Sequence, residues 1–240
     1  MSENTQLVLI CGKTGTGKSA SLMGLHSPER VAYMNCENNK RLPFPAKFMQ
    51  ANVTDPLQVQ QSLEALAGNP KYDVIVVDTL TYLMDMFETQ YVINSANSMK
   101  MWGEYAQFFK RLMQEGVAKS DKQIIFTAHT SDIYNEAEMV SETMVKVKGS
   151  LMNQGIESYF STVIATKKVP LKTLEKYKND LLTITPQEER LEFKYCYQTQ
   201  LTKETVNERI RGPLGMWLPN ETFIDNNAQL VLDRLKQYYN

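Results

Sequence analysis

Near the start of this chain stand the residues Gly12-Lys13-Thr14-Gly15-Thr16-Gly17-Lys18-Ser19. Their spacing is G-x-x-x-x-G-K-S, a pattern whose chemistry is phosphate binding. Its glycines let the backbone curl so that several N–H groups face one concavity. The backbone from Gly12 to Ala20 is therefore the expected cradle for a triphosphate. Lys18 is expected to reach the β- and γ-phosphates of ATP, and the Ser19 hydroxyl to hold Mg²⁺. Without a ligand, Lys18 is expected to be solvated.

Three other residues carry candidate chemistry. Asp78 closes the apolar run Val74-Ile75-Val76-Val77. A carboxylate at that place can organise Mg²⁺, mainly through water; the plainer alternative is a cap on the next helix. Glu37 follows the run Val31–Cys36. It can orient a water in line with the γ-phosphate, or it can be an exposed loop glutamate. His129 is one of two histidines. It can donate to a γ-phosphate oxygen and so distinguish ATP from ADP, or it can be a hydrogen-bonded structural residue.

The elements that must position these residues read as alternating strand and helix. Leu7–Ile10, Val31–Cys36, Tyr72–Val77, Gln123–Ala128 and Ser158–Thr166 are expected strands. Their continuous apolar runs suit a parallel sheet buried on both faces. Ser19–Leu25, the stretch after Asp55-Pro56 and residues 98–115 are expected helices. Residues 131–155 show no clear period and are expected to form a long loop. After Pro170 the pattern changes: Leu191, Phe193, Tyr195 and Tyr197 alternate with polar residues, the mark of an antiparallel strand. Val206–Arg211 is its expected partner, and Asp225 the expected cap of a final helix. The fold class is thus α/β: a mostly parallel sheet with helices on both faces and an antiparallel C-terminal hairpin. One domain is expected over 1–240, with a core at about 6–168 and an extension at about 181–240. Ser19, Glu37, Asp78 and His129 then fall at the carboxyl ends of the strands, where such sheets bind ligands.

Composition narrows the classes. A hydrophobic share of 42% with 22% charged residues is ordinary for a globular protein. No apolar run reaches the roughly 20 residues of a membrane span. A strand expected to begin within the first few residues leaves no room for a signal peptide. Cys11, Cys36 and Cys196 have no metal-ligand spacing, so a reducing cytoplasm is expected. A net charge of −1 means that any nucleic-acid site must be a local patch.

Gly12 to Ser19, the strand-end Glu37, the run Val74–Leu80 with Asp78, and His129 together resemble the RecA-type ATPase core. More closely, the chain is similar to compact bacteriophage nucleotide-binding proteins related to RecA, some of which anneal single strands in phage recombination. The resemblance implies ATP and Mg²⁺ as cofactors, with Glu37 activating water, Asp78 at the magnesium and His129 as phosphate sensor. It implies that Lys167 or Lys168 reaches a neighbouring subunit's ATP, hence a homo-oligomer. No N-terminal segment long enough to dock subunits into a filament is seen, which leaves rings or short oligomers open. It implies single-stranded DNA as a partner, met by residues 131–155, together with a phage or host single-stranded-DNA-binding protein. It implies the host cytoplasm and no membrane.

Within that stretch, Lys146 and Lys148 can meet phosphates, and Gly149 lets the backbone come close. Met144, Val145 and Met152 can wedge between bases, and Tyr134 can stack on one. Asp132, Glu136, Glu138 and Glu142 make its first half acidic, so the contact is expected in residues 143–155. Two other functions use the same loop: a small-molecule kinase, and an ATP-binding scaffold that does not hydrolyse. Arg30 and Arg41 are the only arginines before residue 111, few for a kinase lid, and Glu37 speaks against the scaffold.

Overall fold

The computed structural model describes residues 6–136 and 139–240; Glu138 of the acidic stretch lies outside them. Its centre is β1 (Leu7–Gly12), six residues all buried. β1 lies between β5 (Gln123–Asn135) and β7 (Thr162–Pro170), parallel to both. β4 (Val74–Asp78) joins β5 to β2 (Val31–Asn35), and β3 (Met49–Asn52) forms that edge, all parallel. On the other side β8 (Phe193–Gln198) runs antiparallel to β7, and β9 (Phe223–Asp225) antiparallel to β8. The order is β3-β2-β4-β5-β1-β7-β8-β9. The fold is therefore an α/β sheet, mostly parallel, with antiparallel C-terminal strands.

Strand alternation divides the apolar residues between two cores. Leu7, Leu9 and Cys11 face α1 (Leu57–Leu66), α2 (Leu80–Phe87) and α3 (Ser98–Arg111). Val8 and Ile10 face the last helix, whose Ala228, Val231, Leu232 and Leu235 are buried. The other helices are short: α4 (Ser150–Gln154), α5 (Leu171–Leu174) and α6 (Pro186–Leu191); the last, α7, spans Ala228–Tyr239. Among the described residues no helix is long and apolar enough to cross a membrane.

Several expectations are corrected. The turn after the phosphate loop is a 3-10 segment, Ser19–Gly24, rather than an α-helix to Leu25. The last strand of the core begins at Thr162 and continues through Lys167-Lys168 to Pro170, because the antiparallel β8 extends its ladder. Most of the described part of residues 131–155 is regular structure rather than loop. β5 runs on to Asn135 and pairs with β6 (Val140–Val145), and α4 follows. The outer half of this ribbon leaves the sheet, and Ser131–Asn135 is exposed or half-exposed throughout, so its sequence lacks an apolar face to give a period of two. Val206–Arg211 does not pair with β8. It makes single bridges, Glu208 to Thr143 and Arg211 to Val163, while β9 takes the place beside β8. The cap of α7 is Asn227, whose side chain accepts from the Gln229 N–H at 3.0 Å, rather than Asp225.

Candidate active site

Parallel register brings the strand ends together. Gly12 stands opposite His129, and Asn35 opposite Asp78. Above them opens a cleft of about 400 Å³, lined by Thr14, Gly15, Gly17, Lys18, Ser19, Ala20, Glu37, Asp78 and His129. Gly12, Lys13 and Thr16 belong instead to a second cavity, of about 460 Å³, on the other side of the loop. There the Lys13 ammonium pairs with Asp132 of β5 at 2.6 Å.

Gly15 and Gly17 carry φ of 78° and 95°, the left-handed region that favours glycine. Lys18 is not solvated. Its Nζ donates to the carbonyls of Gly12 and Lys13, both at 2.9 Å, and the side chain is buried. Burial pulls its pKa down to about 8, against the pull of the Asp78 and Glu37 charges. In this posture the ammonium occupies the mouth of its own loop and holds two carbonyls that a phosphate oxygen, a stronger acceptor, can outcompete.

Asp78 is 1% exposed. Its carboxylate accepts from the Tyr33 hydroxyl at 2.8 Å and from the Thr127 hydroxyl, and Ser19 stands beside it in the cleft. Burial raises its pKa, and the hydrogen bonds from Thr127 and Tyr33 oppose the rise. Tyr33 and Thr127 are polar tips inside apolar strands, and such tips need buried partners. That was the available signal for a carboxylate held between β2 and β5.

Glu37 sits on a tight turn. Lys40 N–H donates to Glu37 O at 2.9 Å, and Asn38 and Asn39 between them carry φ of 50° and 61°. Two left-handed central residues make a turn of the I′ kind, which asparagine tolerates. Asn35 ties the turn at both ends, accepting from Glu37 N–H and donating to Lys40 O, each at 2.9 Å. The turn folds Lys40 back so that its Nζ lies 2.8 Å from Glu37 Oε2. His129 Nε2 lies 3.5 Å from Glu37 Oε1 without making a hydrogen bond to it, so the Lys40 contact is the firmer. His129 and then Lys40 hold the Glu37 carboxyl down at about 2, against its burial. Lys40 was overlooked in the sequence; the Asn-Asn pair was the signal for the turn that delivers it.

His129 is anchored through its backbone, N–H to Thr81 Oγ1 at 2.9 Å and C=O from the Lys146 N–H at 2.8 Å. Its Nδ1 lies 3.4 Å from Thr14 Oγ1, so one imidazole touches both the phosphate loop and Glu37. The arrangement holds a polyphosphate cradle, a hydroxyl–carboxylate pair fit for a hard divalent cation, and an ionised carboxylate facing the loop through a histidine.

The remaining expected residues lie elsewhere. Lys167 pairs with Glu208 at 2.5 Å in the second cavity, and Lys168 stacks 3.8 Å over the Phe193 ring. Neither lines the phosphate cleft. Lys146 is exposed, but Lys148 is paired with Glu88 and lies 3.8 Å from Asp85. Gly149 is exposed, with Trp102 on the side where a Cβ would meet the ring at 3.2 Å. Met144 and Val145 are buried in the fold and cannot wedge between bases; Met152 is half-buried. Tyr134 stands exposed on the ribbon. Tyr195 and Asn226, from the C-terminal strands, also line the cleft and were not singled out in the sequence.

With this geometry in view, residues 4–189 match the protein family described as AAA domain. No curated protein matches the chain.

Proposed function

This chain belongs to the AAA domain family of P-loop ATPases, and from that premise we propose that it hydrolyses ATP with Mg²⁺ in the manner of RecA-type enzymes and couples hydrolysis to single-stranded DNA in phage recombination or annealing. The observation that carries the hydrolytic reading is the chain of contacts from Thr14 through His129 to Glu37. Glu37 is ionised at any pH where the protein works, so it accepts a hydrogen bond from the attacking water. The water oxygen bonds to the γ-phosphorus, the bond to the β-phosphate oxygen breaks, and ADP and phosphate leave. Lys18 and the loop N–H groups hold the phosphate oxygens, and His129 donates to the γ-phosphate and follows its loss.

Ser19 and Asp78 fit Mg²⁺: a hydroxyl and a buried carboxylate lining one cleft are hard oxygen donors, and the burial of the carboxylate favours a cation partner. These two residues would hold the ion, which would supply charge neutralisation to the phosphates. Asp78→Asn is expected to shift the Mg²⁺ concentration for half-maximal turnover upward by about tenfold or more, since it removes the charge from the metal's carboxylate. An unchanged Mg²⁺ titration in a folded Asp78→Asn protein would remove this residue from the metal site.

The DNA reading moves from residues 143–155 to the β5–β6 ribbon. His129 sits at its root, and the acidic side chains nearest that root are compensated, Asp132 by Lys13 and Glu142 by Arg209. Exposed Tyr134 offers a stacking face and exposed Lys146 a phosphate contact. Replacing both with alanine is expected to weaken single-stranded DNA binding by about tenfold and to lower its salt slope by roughly one unit, with ATP affinity unchanged. Fluorescence anisotropy across a salt series reads both; identical curves for the variant and the natural protein would exclude the ribbon.

Turnover of ATP alone, with single-stranded DNA and with nucleoside monophosphates tests the whole proposal. Stimulation by DNA supports it. Phosphoryl transfer to a monophosphate assigns the chain to the kinases, and no turnover under any condition assigns it to the non-hydrolysing scaffolds.

A further inference from the structure

The phosphate cleft spans the ends of β1, β5, β4 and β2. The loop after β1 forms one wall and the turn after β2 the other, with His129 of β5 and Asp78 of β4 between them. Each wall carries an ammonium, Lys18 on the loop and Lys40 on the turn. Burial is the main cause of the low Lys18 pKa, but the Lys40 charge lowers it too, so the two ammoniums act on one another across the cleft. Like charges on facing walls make a place for a polyanion.

Lys40 differs from Lys18 in being accessible. Its side chain is 70% exposed, and its one hydrogen bond among the described residues is the 2.8 Å contact with Glu37 Oε2. An ammonium has three N–H donors, so two remain for a ligand without breaking that pair. The hydrogen bond to Glu37 raises the pKa of Lys40, which is therefore charged at neutral pH. The backbone fixes the root of the side chain: Lys40 N–H donates to Glu37 O, and Asn35 Nδ2 to Lys40 O, each at 2.9 Å. Arg41 lines the cleft as well, but no ion pair holds it among the described residues.

As the bond to the β-phosphate breaks, negative charge shifts over the γ-phosphoryl and leaving oxygens, where an added cation can accelerate transfer by on the order of 10³-fold. Lys167 and Lys168, expected to supply one to a neighbour, are held outside this cleft by Glu208 and the Phe193 ring. In the hydrolytic reading one water separates Glu37 from the γ-phosphorus. An ammonium 2.8 Å from that carboxylate is then within a side chain's reach of the γ-oxygens. We infer that Lys40 is a catalytic residue whose ammonium bridges the Glu37 carboxylate and a γ-phosphate oxygen, within the chain that binds the nucleotide. One turn carries both groups, so the cation and the water-orienting carboxylate reach the phosphate together. This rests on the hydrolytic reading above and deepens it: the chain that holds ATP supplies its own cation.

Turnover, and calorimetric binding of ADP with Mg²⁺ and aluminium fluoride, a mimic of the transferring phosphoryl group, test it on the full chain. Lys40→Ala is expected to lower kcat/KM and the affinity for the mimic by about 10²-fold each, with ADP alone bound within about twofold of normal. Lys40→Gln should behave likewise and covers an alanine variant that does not fold. A lysine that only positions Glu37 would lose its effect once the carboxylate is gone. The loss of mimic affinity should therefore persist when Lys40→Ala is added to Glu37→Gln. Mixtures of Lys40→Ala with Lys18→Ala should stay inactive, since no chain then has both lysines and neither crosses between subunits. Normal mimic binding by a folded variant, no further loss in the Glu37→Gln background, or activity restored in the mixture would each overturn the assignment, while turnover by the natural protein left the hydrolytic reading standing. Neither turnover nor mimic binding by the natural protein would remove that reading and this inference with it.

Discussion

Lys18→Ala is expected to abolish measurable ATP turnover and to weaken ATP binding by at least 10²-fold, the loss of a charge-assisted contact to two phosphates in a partly buried site. The fold should survive. Lys18 is buried with its pKa drawn down to about 8, so its charge costs stability there, and removal relieves that cost while releasing two carbonyl contacts of about 1 kcal/mol each. Thermal unfolding should therefore move by only a few degrees. The same depression gives the natural protein a pH signature. Below about pH 8 the ammonium is already charged and binding takes up no proton. Above it the Lys18 amine is neutral until phosphates re-protonate it, and ATP affinity should fall by up to about tenfold per pH unit until the ordinary lysine range is reached. Tight ATP binding by a folded Lys18→Ala protein would refute the cradle.

Glu37→Gln is the second large effect. The amide keeps the shape and can still meet Lys40 or His129, but it loses the negative charge that attracts the water proton. Turnover should fall by about 10²-fold or more with ATP affinity within a fewfold of normal. Near-normal turnover in this variant would put the catalytic carboxylate elsewhere. Because His129 and Lys40 hold the natural carboxyl near 2, turnover should show no limb from Glu37 between pH 5 and 8. The sign for stability follows from the same depression: the ion-pair contribution is whole above the ordinary glutamate range, about 4.5, and is lost as pH falls toward 2. Glu37→Gln is therefore expected to be less stable than the natural protein near neutral pH and to lose less stability between about pH 4.5 and 2; an equally steep fall in the variant would be opposite to this expectation.

Much of this site was legible in order along the chain. Gly12 to Ser19 announces itself because the chemistry demands fixed residue types at fixed spacing over one turn of backbone. Val8–Ile10 and Val74–Val77 could be read as inner parallel strands because burial on both faces leaves no polar alternation. Once those strands are parallel, their ends must share one edge, and Glu37, Asp78 and His129 follow.

What the sequence left open depends on contacts between residues far apart in the chain. Lys40 reaches Glu37 only because two left-handed asparagines reverse the turn. Asp78 takes its hydrogen bonds from Tyr33 on one neighbouring strand and Thr127 on the other. The ribbon at 130–145 is held by pairing and by Lys13 and Arg209, not by an apolar stripe, so no period announces it. Lys148 looks free in one dimension and is paired with Glu88 in three. Asn226, over two hundred residues from Gly17, meets it because β8 and β9 continue the sheet past β7 and return the chain to the loop. Local spacing determines which groups exist at the sheet edge; strand order and long-range pairing decide which of them are left free to meet a ligand.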